Sequence, residues 1–314
     1  MRDLLLTMTI MMLLPVAAYR PWIGILVWSW LGYMNPHRLT WSFAYFFPFA
    51  QLVAIAVLLG VILKVVHEGL RPRAFVSGEL KLLLFLWIVF TVTTITALHP
   101  ADAWPAWGKI SKILLMTFLT VYLIDDEKKL RYLVLVIALS IGYYGFKGGV
   151  FAILTAGQSR IWGPPGSFIE DNNSLALALN MTIPLLYYLA EIEPRKWLRN
   201  FFMLTTLLCV LSVVFTYSRG GFLGLIVVLA SITLAARMSR KLLIIGLGLI
   251  ALPLAIASIP QAWQDRISTI GTYQEDGSAL SRLEAWKAAR NLAFDRPFFG
   301  GGFEVLNDYD TYLL

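Results

Sequence analysis

Apolar stretches of near-spanning length recur along almost the whole chain, and they constrain its fold more than any other feature. A helix needs roughly 20 predominantly apolar residues to cross a membrane. The first 33 residues hold two shorter runs, which form either two tight spans or one broken hairpin. Longer runs lie at 43–63, 81–98, 107–124, 130–147, 172–190, 200–217, 221–236 and 242–259. The pattern predicts an all-α, polytopic integral membrane helical bundle.

Composition and charge agree with a membrane protein. Of the 314 residues, 58% are hydrophobic and 14% are charged, whereas a soluble domain carries roughly 25% charged residues. The net charge of +7 would suggest nucleic-acid binding in a soluble protein. Cytoplasmic loops of membrane proteins collect Lys and Arg in any case, so we expect no nucleic-acid partner. Cys209 is the only cysteine, which excludes an intrachain disulfide and a cysteine metal cluster.

Basic clusters give the orientation of the bundle. They lie near 64–81, 128–131, 195–199 and 237–241, in alternate loops. The positive-inside rule makes this side cytoplasmic. The opposite side then receives 157–171, 218–221 and everything after about 260. We therefore predict a bundle of about nine or ten spans over 1–259, followed by an outer region over 260–314 with an amphipathic helix near 279–294.

Arginine on the outer side runs against this charge bias, and Arg219 is the sharpest case. It lies in the turn Ser218-Arg-Gly-Gly221, between two apolar runs. Gly220 and Gly221 can take positive φ and let another group approach the backbone. The N–H groups at the start of the next helix favour an anion, as does the guanidinium. The alternative is a tight hairpin with a snorkelling arginine, but the cost of a charge at membrane depth favours a binding role.

Other outer residues point in the same direction. Arg160 lies in a Pro- and Gly-rich turn before Asp171-Asn-Asn-Ser174, whose first side chains can cap the next helix, and it can face the same cavity as Arg219. Arg282 belongs to a basic, aromatic face of the helix near 279–294, which either rests on anionic headgroups or binds phosphate. Arg266 is expected to be an interface anchor.

Arginines converging on one face imply a polyanionic substrate. A lipid-linked pyrophosphate fits, because its tail stays in the bilayer and guanidinium groups bind its oxygens in pairs. Neutralising the pyrophosphate would also stabilise it as a leaving group. No histidine pair has metal-ligand spacing, and Asp308-Tyr-Asp310 is only a short match to a metal-binding pattern. We predict no metal and no cofactor.

Several segments together resemble a known family. They are Asn35-Pro-His-Arg38, the stretch from Asp171 to Pro184, Thr216-Tyr-Ser-Arg-Gly-Gly221, Ser281-Arg-Leu-Glu-Ala-Trp286, and Arg296-Pro-Phe-Phe-Gly-Gly-Gly302. In order and spacing they resemble the bacterial O-antigen ligase and polymerase superfamily. The closest likeness is to the ligase branch associated with exosortase systems.

The resemblance implies a GT-C-like glycosyltransferase of lipopolysaccharide biosynthesis in the bacterial inner membrane. Such a ligase moves a glycan from undecaprenyl pyrophosphate to a hydroxyl of the lipid A core. It works on the periplasmic face, with inversion at the anomeric centre and without metal or nucleotide. Matching motifs assign pyrophosphate binding to Arg219 and Arg282, and a looser match adds Arg160. A histidine that activates the acceptor, and further helices, are expected beyond Leu314, because no histidine follows His99.

Related functions remain open on the sequence. An O-antigen polymerase or a protein O-oligosaccharyltransferase would use the same donor with another acceptor. A transporter of lipid-linked glycans is the alternative from a different class. It would place charges near the bilayer midplane and show repeated halves, whereas the distinctive charges here lie at one face and no repeat is evident. These observations favour an enzyme.

Overall fold

The computed structural model describes residues 1–69, 77–235 and 277–306. Within these ranges the chain forms ten α-helices and no strand. They are α1 (Arg2–Tyr19), α2 (Pro21–Met34), α3 (Phe49–Glu68), α4 (Gly78–Ile95), α5 (Pro100–Leu123), α6 (Glu127–Leu154), α7 (Asn172–Ile192), α8 (Lys196–Phe215), α9 (Arg219–Ala235) and α10 (Gly277–Asp295). The predicted run at 242–259, the basic cluster at 237–241 and Arg266 lie outside the described residues.

Seven of these helices, α1 and α3 to α8, are long and apolar enough to cross a membrane. The apolar helix α9 is slightly shorter, at 17 residues. The prediction of an all-α, polytopic membrane fold is therefore confirmed. The first 33 residues form two helices, α1 and α2, which meet at Arg20. Pro21 begins α2, where its missing N–H costs no hydrogen bond.

The described residues fall into two compact units. The first contains Met1–Val61 and the described residues from Asp126 to Ala235. The second contains the described residues from Ile62 to Asp125 and from Gly277 to Leu306. The sequence-based division at residue 259 remains a prediction.

Helix α7 forms the centre of the first unit. Its residues Leu175, Leu179, Ile183 and Leu186 are fully buried and recur every three or four positions. This spacing places them on one helical face. Asp171 begins the helix by accepting hydrogen bonds from the backbone N–H groups of Asn173 and Ser174, as the sequence predicts.

Small residues let α6 and α8 approach closely. A Cβ built on Gly145 would lie 2.2 Å from the sulfur of Cys209, and one built on Gly149 would lie 2.4 Å from the carbonyl oxygen of Leu208. Both distances are far shorter than any real contact of this kind. Glycines at such an interface let helix backbones pack against each other within a membrane. The glycines of α6 therefore determine how closely α8 packs.

The two ends of the first unit differ. At one end the start of α6 lies beside the end of α7, where Arg131 forms a 3.2 Å ion pair with the buried carboxylate of Glu193. At the other end lie residues 155–174 and 215–221, which contact one another. We call this second end the Arg219 end. It carries two of the segments that the sequence predicts to be on the outer side, 157–171 and 218–221.

The second unit is built on α4 and α5. The indole nitrogens of Trp87 and Trp107 donate to the hydroxyls of Ser111 and Thr91, at 2.8 and 3.0 Å. The residues after α10 pack on the end of α4. Arg296 donates to the Thr96 carbonyl at 2.8 Å, the Leu98 N–H donates to the Gly301 carbonyl at 3.0 Å, and the rings of Phe90 and Phe303 lie 5.3 Å apart. These contacts fix the C-terminal end of α10 beside the C-terminal end of α4.

The α6–α8 contact generates a first prediction. Gly149→Ala should lower the free energy of unfolding by about 1–3 kcal/mol, because the new methyl group overlaps the Leu208 backbone and forces the helices apart. The measurement is equilibrium unfolding of the purified protein in detergent micelles.

Gly32→Ala provides the matched control. A Cβ on Gly32, in α2, would meet nothing within 4 Å, so the same substitution should leave stability unchanged or raise it slightly. Equal effects at Gly149 and Gly32 would show that the close approach of α6 and α8 has no energetic importance.

Candidate functional site

The turn between α8 and α9 forms the centre of the Arg219 end. Helix α8 ends at Phe215, and α9 already begins at Arg219. The Ser218 hydroxyl accepts the N–H of Gly221 at 3.0 Å and donates to the side-chain oxygen of Asn173 at 2.7 Å. A hydroxyl can do both at once. Ser218 is therefore the N-cap of α9 and also ties α9 to α7.

Amide side chains of α7 strengthen this connection. The buried Asn172 donates to the carbonyl of Thr216 at 2.9 Å, and Asn180 donates to the carbonyl of Gly221 at 2.8 Å. The Asp171–Ser174 segment and the Thr216–Gly221 segment are thus joined by side-chain hydrogen bonds. Residues separated by more than 40 positions form one polar block at the Arg219 end.

The sequence-based expectation of positive φ at Gly220 and Gly221 is wrong. The left-handed residue is Tyr217, with φ of 56°, and both glycines lie within α9. The left-handed residue lies three positions before Gly220, because Ser218 has to cap the helix that begins at Arg219. Gly221 serves a different purpose: a Cβ there would lie 2.5 Å from the Cβ of Ala176. It lets α9 pack against α7.

Arg219 is the first residue of α9 and is half-buried. The positive end of the helix dipole and the guanidinium are therefore located together. Both favour an anion at this position. Because Ser218 caps the helix directly before Arg219, the backbone position of Arg219 is set by α9 and not by a loop.

The structure brings Arg160 to the same turn. The N–H of Ile161 donates to the carbonyl of Phe215 at 3.0 Å, and the Tyr217 hydroxyl donates to the carbonyl of Gly157. The guanidinium carbon of Arg160 lies 6.0 Å from the centre of the Tyr217 ring and 5.3 Å from that of Trp162. Arg160 therefore stacks against Tyr217, which precedes Arg219 by two residues.

A cavity of about 320 Å³ opens beside Arg160. Its lining is mostly apolar and aromatic, with Lys147 as a second cation. The lining residues are Leu39, Tyr144, Lys147, Gly148, Phe151, Arg160, Ile161, Trp162, Gly163, Pro164 and Pro165. Sequence reasoning missed Lys147, which is the one charged residue between Arg131 and Leu154 of α6. A lone cation in an otherwise apolar stretch was the signal that could have identified it.

The segment Asn35-Pro-His-Arg38 supports the wall of this cavity. Arg38 stacks on Tyr45 at 4.6 Å. A Cβ built on Gly166, which has φ of +69°, would lie 3.2 Å from the guanidinium of Arg38. Burial and the neighbouring Arg38 lower the pKa of the His37 imidazole, which favours its neutral form. Leu39, two residues later, lines the cavity.

Arg282 belongs to the second unit. It is exposed on α10, as are Trp286 and Arg290, while Ala288 and Leu292 are buried. One face of α10 is thus basic and accessible, and the opposite face packs. The pairing of Arg282 with Arg219 and Arg160 remains a prediction.

No group of three or more His, Cys, Asp or Glu side chains in the described part of the chain is arranged to hold a metal ion. Asp308 and Asp310 lie outside the described residues.

Two family models match the chain. Residues 1–193 match the model described as "Family of unknown function (DUF5935)". The chain belongs to this family. Residues 204–313 match the model described as "O-Antigen ligase", which supports the O-antigen ligase/polymerase superfamily and a ligase- or polymerase-type glycosyltransferase in general. Among curated proteins and among solved structures, no match was found.

The two matches divide the candidate residues of this DUF5935 member. Arg160 and the cavity lining lie within the first match, whereas Arg219 and Arg282 lie within the second. The hydrogen bonds between α7 and the Thr216–Gly221 segment therefore connect the two matched regions. The ligase-like region and the region of unknown function contribute to one end of the first unit.

The N-cap of α9 generates a second prediction. Ser218→Ala should lower the free energy of unfolding by about 1 kcal/mol, because it removes the helix cap, and the lost bond to Asn173 adds to this effect. Ser231→Ala, in the same helix, removes a hydroxyl that bonds only to the Val227 carbonyl, and its effect should stay within about 0.5 kcal/mol. Equal losses in chemical unfolding would contradict the capping role.

Asp171 gives a prediction about pH. Hydrogen bonds from Ser174, and from the N–H of Asn173, hold the pKa of its carboxyl below the usual value of 3.8. Because the folded-state pKa is depressed, this stabilisation is present above pH 3.8 and is lost as the pH falls through the folded-state pKa. Asp171→Asn keeps a cap that does not titrate. The melting temperature of the wild type should therefore fall more steeply than that of the variant below pH 3.8. Parallel curves would refute this.

Proposed function

We propose that the protein is a ligase-type glycosyltransferase that moves a glycan from undecaprenyl pyrophosphate to a hydroxyl of the lipid A core. The single observation that supports this most is the position of Arg219. It begins a helix whose cap is bonded to α7, and Arg160 stacks against the same turn. The match of residues 204–313 to the O-antigen ligase model includes this turn.

The chemistry proposed for the site is displacement at the anomeric carbon of the donor sugar. The acceptor hydroxyl forms the new glycosidic bond, the bond to the pyrophosphate oxygen breaks, and the hydroxyl proton passes to a base. Negative charge on the leaving pyrophosphate increases in the transition state. Preorganised cations and helix N–H groups stabilise that charge more than the ground-state charge. In this scheme Arg219, Arg282 and Arg160 bind the pyrophosphate without metal.

The setting of the reaction is also part of the proposal. The donor lipid tail needs a bilayer, and the Arg219 end is the end opposite the Arg131–Glu193 ion pair and the basic residues near it. The positive-inside rule would then place the Arg219 end on the periplasmic face of the inner membrane. On its motifs we assign the protein to the exosortase-associated ligase branch. A polymerase or a protein O-oligosaccharyltransferase would use a different acceptor. The experiment therefore compares several acceptors.

The test is transfer by the full-length protein in liposomes, with undecaprenyl-pyrophosphate glycan as donor, lipid A core as acceptor and EDTA present. Arg219→Ala and Arg282→Ala should each lower kcat by roughly 10²–10³-fold, the cost of removing one donor to a developing oxyanion. Transfer should persist in EDTA. Glycan polymer or a protein replaces the lipid A core in parallel reactions, and transfer only to one of these would overturn the ligase assignment.

Matched arginines serve as controls. Arg199→Ala removes a charge from the start of α8, at the opposite end of that helix from Arg219. It should leave transfer unchanged. Arg290→Ala removes a second exposed arginine of α10. If α10 merely rests on anionic headgroups, Arg282→Ala and Arg290→Ala should have equal effects. Full activity of both Arg219→Ala and Arg282→Ala would refute the pyrophosphate assignment.

A further inference from the structure

Beside Arg160, one of the proposed pyrophosphate ligands, lies a cavity whose other lining residues the pyrophosphate assignment does not use. Its volume of about 320 Å³ lies within the range of small-molecule pockets, about 300–1,000 Å³. Its walls combine aromatic and proline surfaces with two cations, Lys147 and Arg160, and no carboxylate is among the lining residues that the structure describes. Pockets of this type bind a partly apolar ligand through a few charged contacts.

Lys147 is the residue that needs explanation. It lies seven residues before the end of α6 at Leu154, within a helix long enough to span the membrane. An ammonium group in such a helix is costly unless it contacts water, an anion or a ligand. Among the described residues, neither Lys147 nor Arg160 forms an ion pair with a carboxylate. Two like charges on one cavity wall repel each other, and an anion between them removes that cost.

The position of the cavity limits what this anion is. Arg160 stacks on Tyr217, two residues before Arg219. In the proposed function Arg219 holds the pyrophosphate, so the sugar attached to it lies beside the same turn. The exposed Trp162 ring offers a flat apolar surface at the cavity, suited to the C–H face of a sugar ring. The ammonium group of Lys147, which also lines the cavity, suits a carboxylate.

We propose that Lys147 and Trp162, next to the pyrophosphate ligand Arg160, form a subsite for a carboxylate-bearing sugar of the donor glycan, and that this subsite gives the protein a preference for acidic glycans. The inference rests on the proposed function, because it uses Arg219 to locate the donor. Lys147 is then a specificity-determining residue. A neutral sugar fills the same space but leaves the charge of Lys147 uncompensated.

The test compares two synthetic donors that differ only at C6. One is undecaprenyl pyrophosphate carrying a disaccharide of glucuronic acid, and the other carries a disaccharide of glucose. The dissociation constant of each is measured for the full-length protein in nanodiscs of zwitterionic lipid, so that anionic headgroups do not compete. The wild type should bind the acidic donor about tenfold more tightly, the gain expected from one charge-assisted contact.

Substitutions at Lys147 decide the role of the charge. Lys147→Met, which keeps the length of the side chain, should weaken binding of the acidic donor about tenfold and remove the preference. Lys147→Arg should keep the preference. Lys128→Met, at the opposite end of α6, is the matched control and should leave both dissociation constants unchanged. Retention of the preference in Lys147→Met would overturn the subsite.

Two further outcomes separate the subsite from the proposed function. Equal weakening of both donors by Lys147→Met would mean that Lys147 contacts the pyrophosphate, and it would overturn the sugar subsite alone. If the wild type binds both donors equally and Arg219→Ala still weakens both, the sugar subsite is likewise overturned and the proposed function is kept. If neither donor binds, the proposed function fails, and the subsite fails with it.

Discussion

Two amide side chains hold the break between α8 and α9, and the rest of the Arg219 end depends on them. A helix break at the border of a membrane leaves backbone carbonyls without partners, and each costs several kcal/mol if water is absent. Asn172 donates to the carbonyl of Thr216, directly after α8, and supplies such a partner. Asn180 donates to the carbonyl of Gly221 in the first turn of α9 and thereby ties α9 to α7. The break is therefore stable, and α9 can begin at Arg219 with a fixed direction.

The same arrangement positions the loop that carries Arg160. This loop is bonded to the end of α8 through the N–H of Ile161, and Tyr217 reaches back to Gly157. Tyr217 can do this because its left-handed backbone directs the chain back toward the loop before α9 starts. Three segments distant in sequence thus share one polar block. A site whose cations are held in this way loses little conformational entropy when an anion binds.

The sequence predicts those features that depend on local pattern. Apolar length predicts the spans, an Asx residue before an apolar run predicts the cap at Asp171, and the unusual charge identifies Arg219. It does not predict features that depend on tertiary partners. Gly221 packs against Ala176 rather than adopting positive φ, because α9 starts one residue after Ser218. Lys147 looks like part of an apolar run until the fold places it in the wall that holds Arg160.

The two ends of the first unit differ in how their charged side chains are paired. At the far end, Arg131 is neutralised by the buried carboxylate of Glu193. At the Arg219 end, the nearby carboxylates are already engaged: Asp171 caps α7, and Glu170 accepts the N–H of Gly166. Lys147 and Arg160 line one cavity and form no ion pair with a carboxylate among the described residues. An anionic ligand would offset the repulsion between these two charges. In the proposed function, a leaving pyrophosphate gains charge as its bond to the sugar breaks, so cations at the Arg219 end would favour bond cleavage over simple passage of the donor.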